Sequence, residues 1–243
     1  MPAGEALPHL SIVIPTYNEA ARIGESLRRL DVFMALKNWQ WELVVSDDGS
    51  TDDTAGIVHA HQAGHPAHPT HFLPSGKNEG KGNAVRRGVL ASRGRYILVT
   101  DADLSAPIKE VDKLLGALEK GCEVAVGSRA VPGKNCDVQQ SPRRRFAGRV
   151  FNLLVRLLAL RGYGDTQCGF KCFKKEAAIE LFQAQTLSGF CFDVEILILA
   201  RKKGYNVSEV PVMWREAPGS KVNLFCHSLA MVKELLYLRK HYA

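Results

Sequence analysis

Short apolar runs alternate with helix-patterned segments five times across the first half of this chain, and three of those runs end abruptly in polar clusters. Leu10-Ser11-Ile12-Val13-Ile14 is stopped by Pro15. Trp41 to Ser46 runs into Asp47-Asp48-Gly49-Ser50-Thr51-Asp52, and Tyr96 to Thr100 ends at Asp101. Phe72-Leu73 and Glu123 to Gly127 complete the series. Brief runs rich in β-branched residues suit strands buried on both faces. Between them, Ile23, Leu27, Leu30 and Leu36 recur at helical spacing. Further helices are expected after an N-cap at Ser50 or Asp52, from about Asn83, and over Ile108 to Glu119. Such alternation predicts a layered α/β fold around a mainly parallel sheet flanked by helices.

The pattern changes in the second half. Residues 132–145 are polar and basic and read as a mobile loop, with an amphipathic helix over 145–160. Strand signals return around Gly169–Phe173 and Asn206–Val212, and a last helix starts near Leu224. With 243 residues, 46% of them hydrophobic, the chain can bury one sizeable core. No repeat or linker divides it, so residues 1–243 read as a single domain with a flexible N-terminus at 1–8. That N-terminus lacks the basic-then-apolar pattern of a signal peptide, and charge interrupts every apolar window before a membrane span is reached.

In open α/β sheets, ligands bind beyond the carboxyl ends of the strands. Pro15-Thr16-Tyr17-Asn18-Glu19, Asp47-Asp48-Gly49-Ser50 and Asp101-Ala102-Asp103 all fall at such ends and are expected to converge on one rim. Asp101 and Asp103 supply hard oxygen ligands suited to Mg²⁺ or Mn²⁺, with Ser105 close enough to add a contact. These ions take their remaining ligands from water and substrate phosphates. The stretch Lys77-Asn78-Glu79-Gly80-Lys81-Gly82-Asn83 is not a P-loop, because only three residues separate Gly76 from Gly80 and Gly82 follows Lys81. Its glycines still allow close backbone approach, and Lys81 offers a cation to a phosphate.

Other features read as structural. The six cysteines form no CxxC pair and are taken as reduced thiols. Five histidines lie within residues 59–71, but Pro66 and Pro69 break regular ligand geometry, so a solvated loop is expected rather than a metal site. The net charge of +7 favours anionic partners. Nucleic acid is disfavoured, since the arginines cluster in one segment and acidic residues line the proposed cleft.

The ordered set IVIPTYNE, VVSDDGSTDDT, KNEGKGNAVRRG, ILVTDADLS and GSR resembles the family 2 glycosyltransferases of the GT-A, Rossmann-like fold. Asp165 to Lys171, Phe192-Asp193-Val194-Glu195 and Trp214 to Lys221 narrow the likeness to the dolichyl-phosphate β-glucosyltransferases and related polyprenyl-phosphate glycosyltransferases. The likeness spans residues 9–243. It implies that Pro15, Tyr17 and Glu19 hold a uridine, that Asp47 reads the base with Asp48 nearby, and that Asp101-Ala102-Asp103 lies under the diphosphate. On the same basis Asp101 meets ribose or sugar and Asp103 the metal. Arg129, Ser220 and Lys221 meet diphosphate or acceptor phosphate, and Gln167 lies on the acceptor side. Two departures stand out. Eukaryotic members of that subgroup typically carry an N-terminal transmembrane segment not seen here, and Asp103 is followed by Leu104-Ser105-Ala106-Pro107.

The implied reaction is inverting transfer of a hexose, glucose from UDP-glucose in the first instance, to a polyprenyl phosphate. A phosphate acceptor is already anionic and needs no strong base, whereas a hydroxyl acceptor needs a carboxylate, for which Asp165 is the candidate. GDP-mannose, UDP-GlcNAc and a soluble hydroxyl acceptor remain alternatives; a nucleotidyltransferase is disfavoured by the separate D-D-G-S and D-x-D clusters. On the 145–160 helix, Arg145, Arg149 and Arg156 form a stripe beside an apolar face of Phe146, Val150, Leu153, Leu154, Leu157 and Leu158. A core helix whose arginines face water has the same pattern; the proposed chemistry favours a helix in the membrane interface. Arg143, Arg144 and Arg145 would there meet the lipid phosphate. The expected setting is peripheral contact with an anionic membrane on its cytoplasmic face.

Overall fold

The computed structural model describes residues 7–65, 68–133, 136–216 and 224–242; the side chains of 143–144 and 224–229 are outside that description. Seven strands form one sheet: β1 (Leu10–Thr16), β2 (Trp41–Asp47), β3 (Thr70–Pro74), β4 (Tyr96–Val99), β5 (Val124–Ser128), β7 (Lys171–Lys174) and β8 (Val207–Pro211). Their spatial order is β3-β2-β1-β4-β7-β5-β8. Only β7 runs antiparallel, wedged between β4 and β5. The short β6 (Val138–Gln139) and β9 (Trp214–Arg215) pair separately.

The strands are apolar on consecutive residues because both faces are covered. Ile12, Ile14, Leu43, Val45 and Leu98 pack against α1 (Ala20–Met34), α2 (Thr54–Gly64) and α4 (Val111–Glu119). Val13, Val44, Ile97 and Val99 face α3 (Lys81–Ala91), α6 (Lys175–Ala184) and α7 (Phe192–Lys202), with α5 (Pro142–Leu158) and α8 (Leu224–Tyr242) adding Val155, Leu235 and Leu238. The α/β sandwich expected from the alternation is therefore present, although β1 runs through Pro15 to Thr16.

Four local expectations change. The stretch 59–71 is not one loop: α2 continues to Gly64 and β3 begins at Thr70. A proline restricts only its own position and the one before it, so the residues up to Gly64 complete the helix and His65, at φ of −129°, leaves it. The stretch 132–145 carries β6, and α5 starts at Pro142, where proline is tolerated as a first helical residue. Asp53, not Ser50 or Asp52, directly precedes α2, although Asp52 Oδ1 still accepts the Thr54 amide at 3.1 Å. Finally, the apolar face of α5 is divided: Leu154 and Leu158 pack with Phe151 and Val155 on the core, while Phe146, Val150, Leu153 and Leu157 stay exposed. Among the described residues, no helix is long and apolar enough to cross a membrane.

Candidate active site

The three polar strand ends do converge, and hydrogen bonds join them. Asn18, with φ of 55°, turns the chain after β1 and accepts the Thr51 amide at 2.7 Å. Asp47 sits inside this junction. Its Oδ1 accepts from the hydroxyls of Thr16 at 2.9 Å and Ser50 at 2.5 Å, and its Oδ2 from the amides of Gly49 and Ser50. A buried carboxylate so engaged shapes the loop, and these four bonds occupy most of its acceptor capacity. Asp48 is also committed: it accepts the Glu79 and Gly80 amides, both at 2.9 Å, and so ties the glycine-rich loop to β2. Burial raises its pKa, an effect those amides only partly offset. Gly49, at φ of 79°, lies against the Lys77 backbone, where a Cβ would come within 2.6 Å.

The expected uridine contacts divide as well. Tyr17 is exposed, Pro15 is buried within β1, and Glu19 grips Arg22 through two hydrogen bonds of 2.8 and 2.9 Å. Arg22 also approaches Asp103, at 4.0 Å.

Beyond β4, Lys81 Nζ at the start of α3 donates to Asp101 Oδ1 at 2.5 Å. Burial pushes the Asp101 pKa up, but the ammonium of Lys81 overrides it and the carboxyl titrates below its usual range. Lys81 is correspondingly raised: burial opposes its charge, and Asp101, Asp193 and Asp103 together outweigh burial. Gly169 makes this geometry possible, since a Cβ there would lie 2.2 Å from Asp101 Oδ2. Ala102 is buried and its carbonyl accepts the Ser26 hydroxyl at 2.6 Å. Leu104 then takes φ of 47°, a conformation that costs a leucine on the order of 1–3 kcal/mol and recurs at functional turns. The turn brings the Ser105 amide to Asp103 Oδ1 at 2.9 Å. Ser105 is buried and meets Asp103 through its backbone amide.

Arg129, after β5, is clamped by Asp165: Nε to Oδ2 at 2.6 Å, Nη2 to Oδ1 at 2.8 Å, and the Arg129 amide to Oδ2 at 3.0 Å. The guanidinium also lies 5.4 Å from the Trp214 ring centroid. Burial alone would raise Asp165, yet Arg129 holds it below the ordinary range. A carboxylate in that state is a positioning group and a poor proton acceptor, which corrects its candidacy as general base. Asp165 Oδ1 also accepts the Gln167 amide at 3.2 Å.

Two residues missing from the expected site complete it. Lys171 on β7 donates from a buried ammonium to Asp193 Oδ1 and to the Cys168 carbonyl, both at 2.6 Å. Burial raises the Asp193 pKa, and Lys171 lowers it in part. The available signal was a single lysine inside the apolar run Gly169–Phe173 and an aspartate opening an apolar helix. Burial pushes the Cys168 thiol to about 11, so it stays neutral beside the site. Ser220 and Lys221 lie outside the described residues, as do the side chains of Arg143 and Arg144 in the first turn of α5. Arg145 is exposed on α5, and nothing joins it to the cluster around Asp101.

Lys81, Arg129, Lys171 and Arg22 thus face five carboxylates, Asp101, Asp165, Asp193, Asp103 and Glu19, leaving one unbalanced negative charge. Oxygen donors on a tight turn with that residual charge fit a hard divalent cation. The α/β sheet, the acidic turn at its carboxyl rim and the cationic side chains around it define a GT-A-type transferase. The match to the Glycosyl transferase family 2 model over residues 11–182 is specific, and the chain belongs to that family. It is 35% identical over 244 residues to the dolichyl-phosphate β-glucosyltransferase of Dictyostelium discoideum, and 37% identical over 249 residues to that of Saccharomyces cerevisiae. Each alignment covers 96% of this chain and 75% of the relative. The human relative is 34% identical over 248 residues, with the same coverage. Among solved structures, glucosyl-3-phosphoglycerate synthase from Mycobacterium tuberculosis, in complex with Mn²⁺, UDP and glucosyl-3-phosphoglycerate, superposes with a TM-score of 0.72 at 19% identity, over 96% of this chain and 80% of that one. At that identity the likeness concerns the fold.

Proposed function

We propose that this glycosyltransferase moves glucose from UDP-glucose to a polyprenyl phosphate with inversion at the anomeric carbon. The carrying observation is the state of the carboxylates. Asp101, Asp165 and Asp193 are each paired to a cation, and Asp103 faces Arg22. A hydroxyl acceptor needs a free base; a phosphate acceptor brings its own negative oxygen, its second pKa being about 6. The names of the relatives point the same way, since each is a dolichyl-phosphate β-glucosyltransferase.

Asp101 and Asp103 would hold Mg²⁺ or Mn²⁺, and the Mn²⁺ in the structural neighbour supports a divalent ion here. When bound, such an ion supplies charge neutralisation to the departing nucleoside diphosphate. Lys81 keeps Asp101 ionised and aimed at the turn. Arg129, fixed by Asp165 and Trp214, presents a guanidinium suited to a phosphate oxygen. Tyr17, with Pro15 and Glu19 behind it, lies on the nucleoside side. The acceptor phosphate then attacks the face of the sugar opposite the diphosphate, so an α-linked donor gives a β-linked product.

The acceptor comes from a membrane, and α5 is suited to meet it peripherally on the cytoplasmic face. Arg145, Arg149 and Arg156 line one edge of its exposed apolar stripe. The test is a screen of UDP- and GDP-sugars against a short polyprenyl phosphate and a soluble alcohol, with NMR assignment of the product anomer. Transfer from UDP-glucose to the phosphate, giving the β anomer, is expected. An α product, or turnover confined to the alcohol, would overturn the proposal.

A further inference from the structure

The histidine-rich stretch has a second consequence once α2 is known to run through it. His61 in the last turn of α2 and His65, the residue that caps it, both reach Asp31 in the last turns of α1. His61 Nε2 lies 2.8 Å from Asp31 Oδ2, and His65 Nε2 lies 3.4 Å from the same oxygen. The imidazole rings stack at 4.4 Å with an interplanar angle of 22°. We propose that Asp31, His61 and His65 form a binding site for one zinc-type transition-metal dication, separate from the catalytic turn.

Hydrogen-bond bookkeeping carries the argument. His65 Nδ1 is 3.0 Å from the His61 carbonyl, an acceptor only, so Nδ1 carries the hydrogen. In the neutral ring Nε2 is then a bare lone pair aimed at a carboxylate. His61 is the more enclosed of the two. Its side chain is 9% exposed, and its Nδ1 is buried without a partner, as is Asp31 Oδ1. Protonating both rings would remove the lone pairs but would stack two positive charges face to face. A single dication between the two Nε2 atoms and the carboxylate occupies the His65 lone pair and balances the Asp31 charge.

The geometry agrees. The three ligand atoms lie within 4.8 Å of one another. Bonds of about 2.0–2.2 Å around tetrahedral zinc put neighbouring ligand atoms roughly 3.3 Å apart. A ring N–H given to a backbone carbonyl is the usual second partner of a metal-bound histidine, and it sets which nitrogen binds. Two imidazoles and one carboxylate select zinc, cobalt or nickel over magnesium, with a water in the fourth position. The helices enter from the catalytic rim and end at the opposite rim, so this ion would staple α1 to α2 away from the sugar chemistry.

The test uses untagged full-length protein stripped with chelator and titrated with Zn²⁺ in excess Mg²⁺, against a chromophoric zinc indicator. One equivalent should bind, raise Tm, and on cobalt substitution give the visible bands of a tetrahedral site. His65→Gln, at the more open ligand, should weaken zinc at least tenfold and abolish the Tm rise, with Mg²⁺-supported sugar transfer unchanged. Sugar transfer absent from both proteins would count against the proposed function and leave this readout intact. If the wild-type protein takes up no zinc under these conditions, or His65→Gln binds it equally well, the cluster is an imidazolium–carboxylate pair and the proposal is wrong.

Discussion

Arg129 and Asp165 hold each other through three hydrogen bonds, two from the guanidinium and one from the Arg129 amide. The pair ties the end of β5 to the loop before β7, and so fixes the cation nearest the proposed acceptor. Replacing Asp165 by Asn removes the counter-charge of a largely buried guanidinium. Losing one partner of a buried pair costs about 3–5 kcal/mol, with the amide oxygen recovering part of it. Because Arg129 holds the Asp165 carboxyl below its ordinary range, this stabilisation is complete above about pH 4, the unfolded value. It is lost as pH falls through the lower folded value. Urea unfolding should therefore give a constant gap between wild type and variant from pH 5 to 8, closing in stronger acid. A gap that opened between pH 5 and 8 would show that Asp165 titrates there and is free to act as a base.

Gly169 and Asp101 make a second test. An alanine Cβ at 169 would lie 2.2 Å from Asp101 Oδ2, so the carboxylate must swing off Lys81. A displacement near 1 Å at a reacting centre can cost about 10²-fold in rate. Gly169→Ala should lower kcat by that order and raise the metal concentration needed for half-activity. Circular dichroism should stay unchanged. Normal metal dependence in a folded variant would separate Asp101 from the metal.

Asp103 is the less encumbered carboxylate of the acidic turn, its Oδ2 facing Arg22 at 4.0 Å. Asp103→Asn should reduce metal-supported transfer on the order of 10²–10³-fold, the scale of losing one charge-stabilising group. Binding of UDP in the absence of metal should change little, which calorimetry would check.

With no free base required, the acidic limb of the rate profile belongs to the acceptor. It should fall near the second phosphate pKa, about 6. A polyprenyl phosphonate, whose second ionisation lies higher, should move the limb upward by the same interval. A limb that ignored the acceptor would assign it to the enzyme instead.

The first half of the fold was legible because its signals are local. Ile12 and Val44 sit in apolar runs whose ends are marked by Pro15 and Asp47, and each run forms the strand that its own sequence describes. The wedge of β7 between β4 and β5 was not legible. Lys171 pairs across the sheet with Val99, 72 positions earlier, and no neighbouring residue encodes that choice. Lys171 and Asp193 lie in motifs that carry the family likeness, but each looks like an isolated charge in an apolar segment until the fold joins them. The acidic turn was found in sequence, but the partners that decide its protonation come from α3, β5 and β7. In the histidine-rich stretch, the prolines were given too wide a reach. In fact α2 runs to Gly64 and His65 caps it, which brings His61 and His65 together against Asp31.

The exposed half of α5 yields the last prediction. Phe146, Val150, Leu153 and Leu157 are 70%, 43%, 56% and 61% exposed, an unusual density of bare apolar surface on one helix. At about 100° per residue they fall on a stripe directly beside Arg145, Arg149 and Arg156, while the opposite side packs on the core. Arg156 also donates to the Tyr163 carbonyl at 3.1 Å, which anchors the lower end of the stripe. Near an anionic membrane each arginine contributes about 1 kcal/mol, and the apolar stripe adds a term that salt does not screen. The two contributions are separable. Replacing Arg145, Arg149 and Arg156 by Gln should weaken binding to phosphatidylserine vesicles by roughly 10²-fold and leave the weak binding to neutral vesicles alone. Replacing Phe146, Leu153 and Leu157 by Ser should weaken both. Transfer to a short, water-soluble acceptor should survive either change, because in the proposed function α5 would deliver the protein to the lipid and take no part in the displacement. Vesicle sedimentation that both triple variants leave untouched would assign the stripe to another partner.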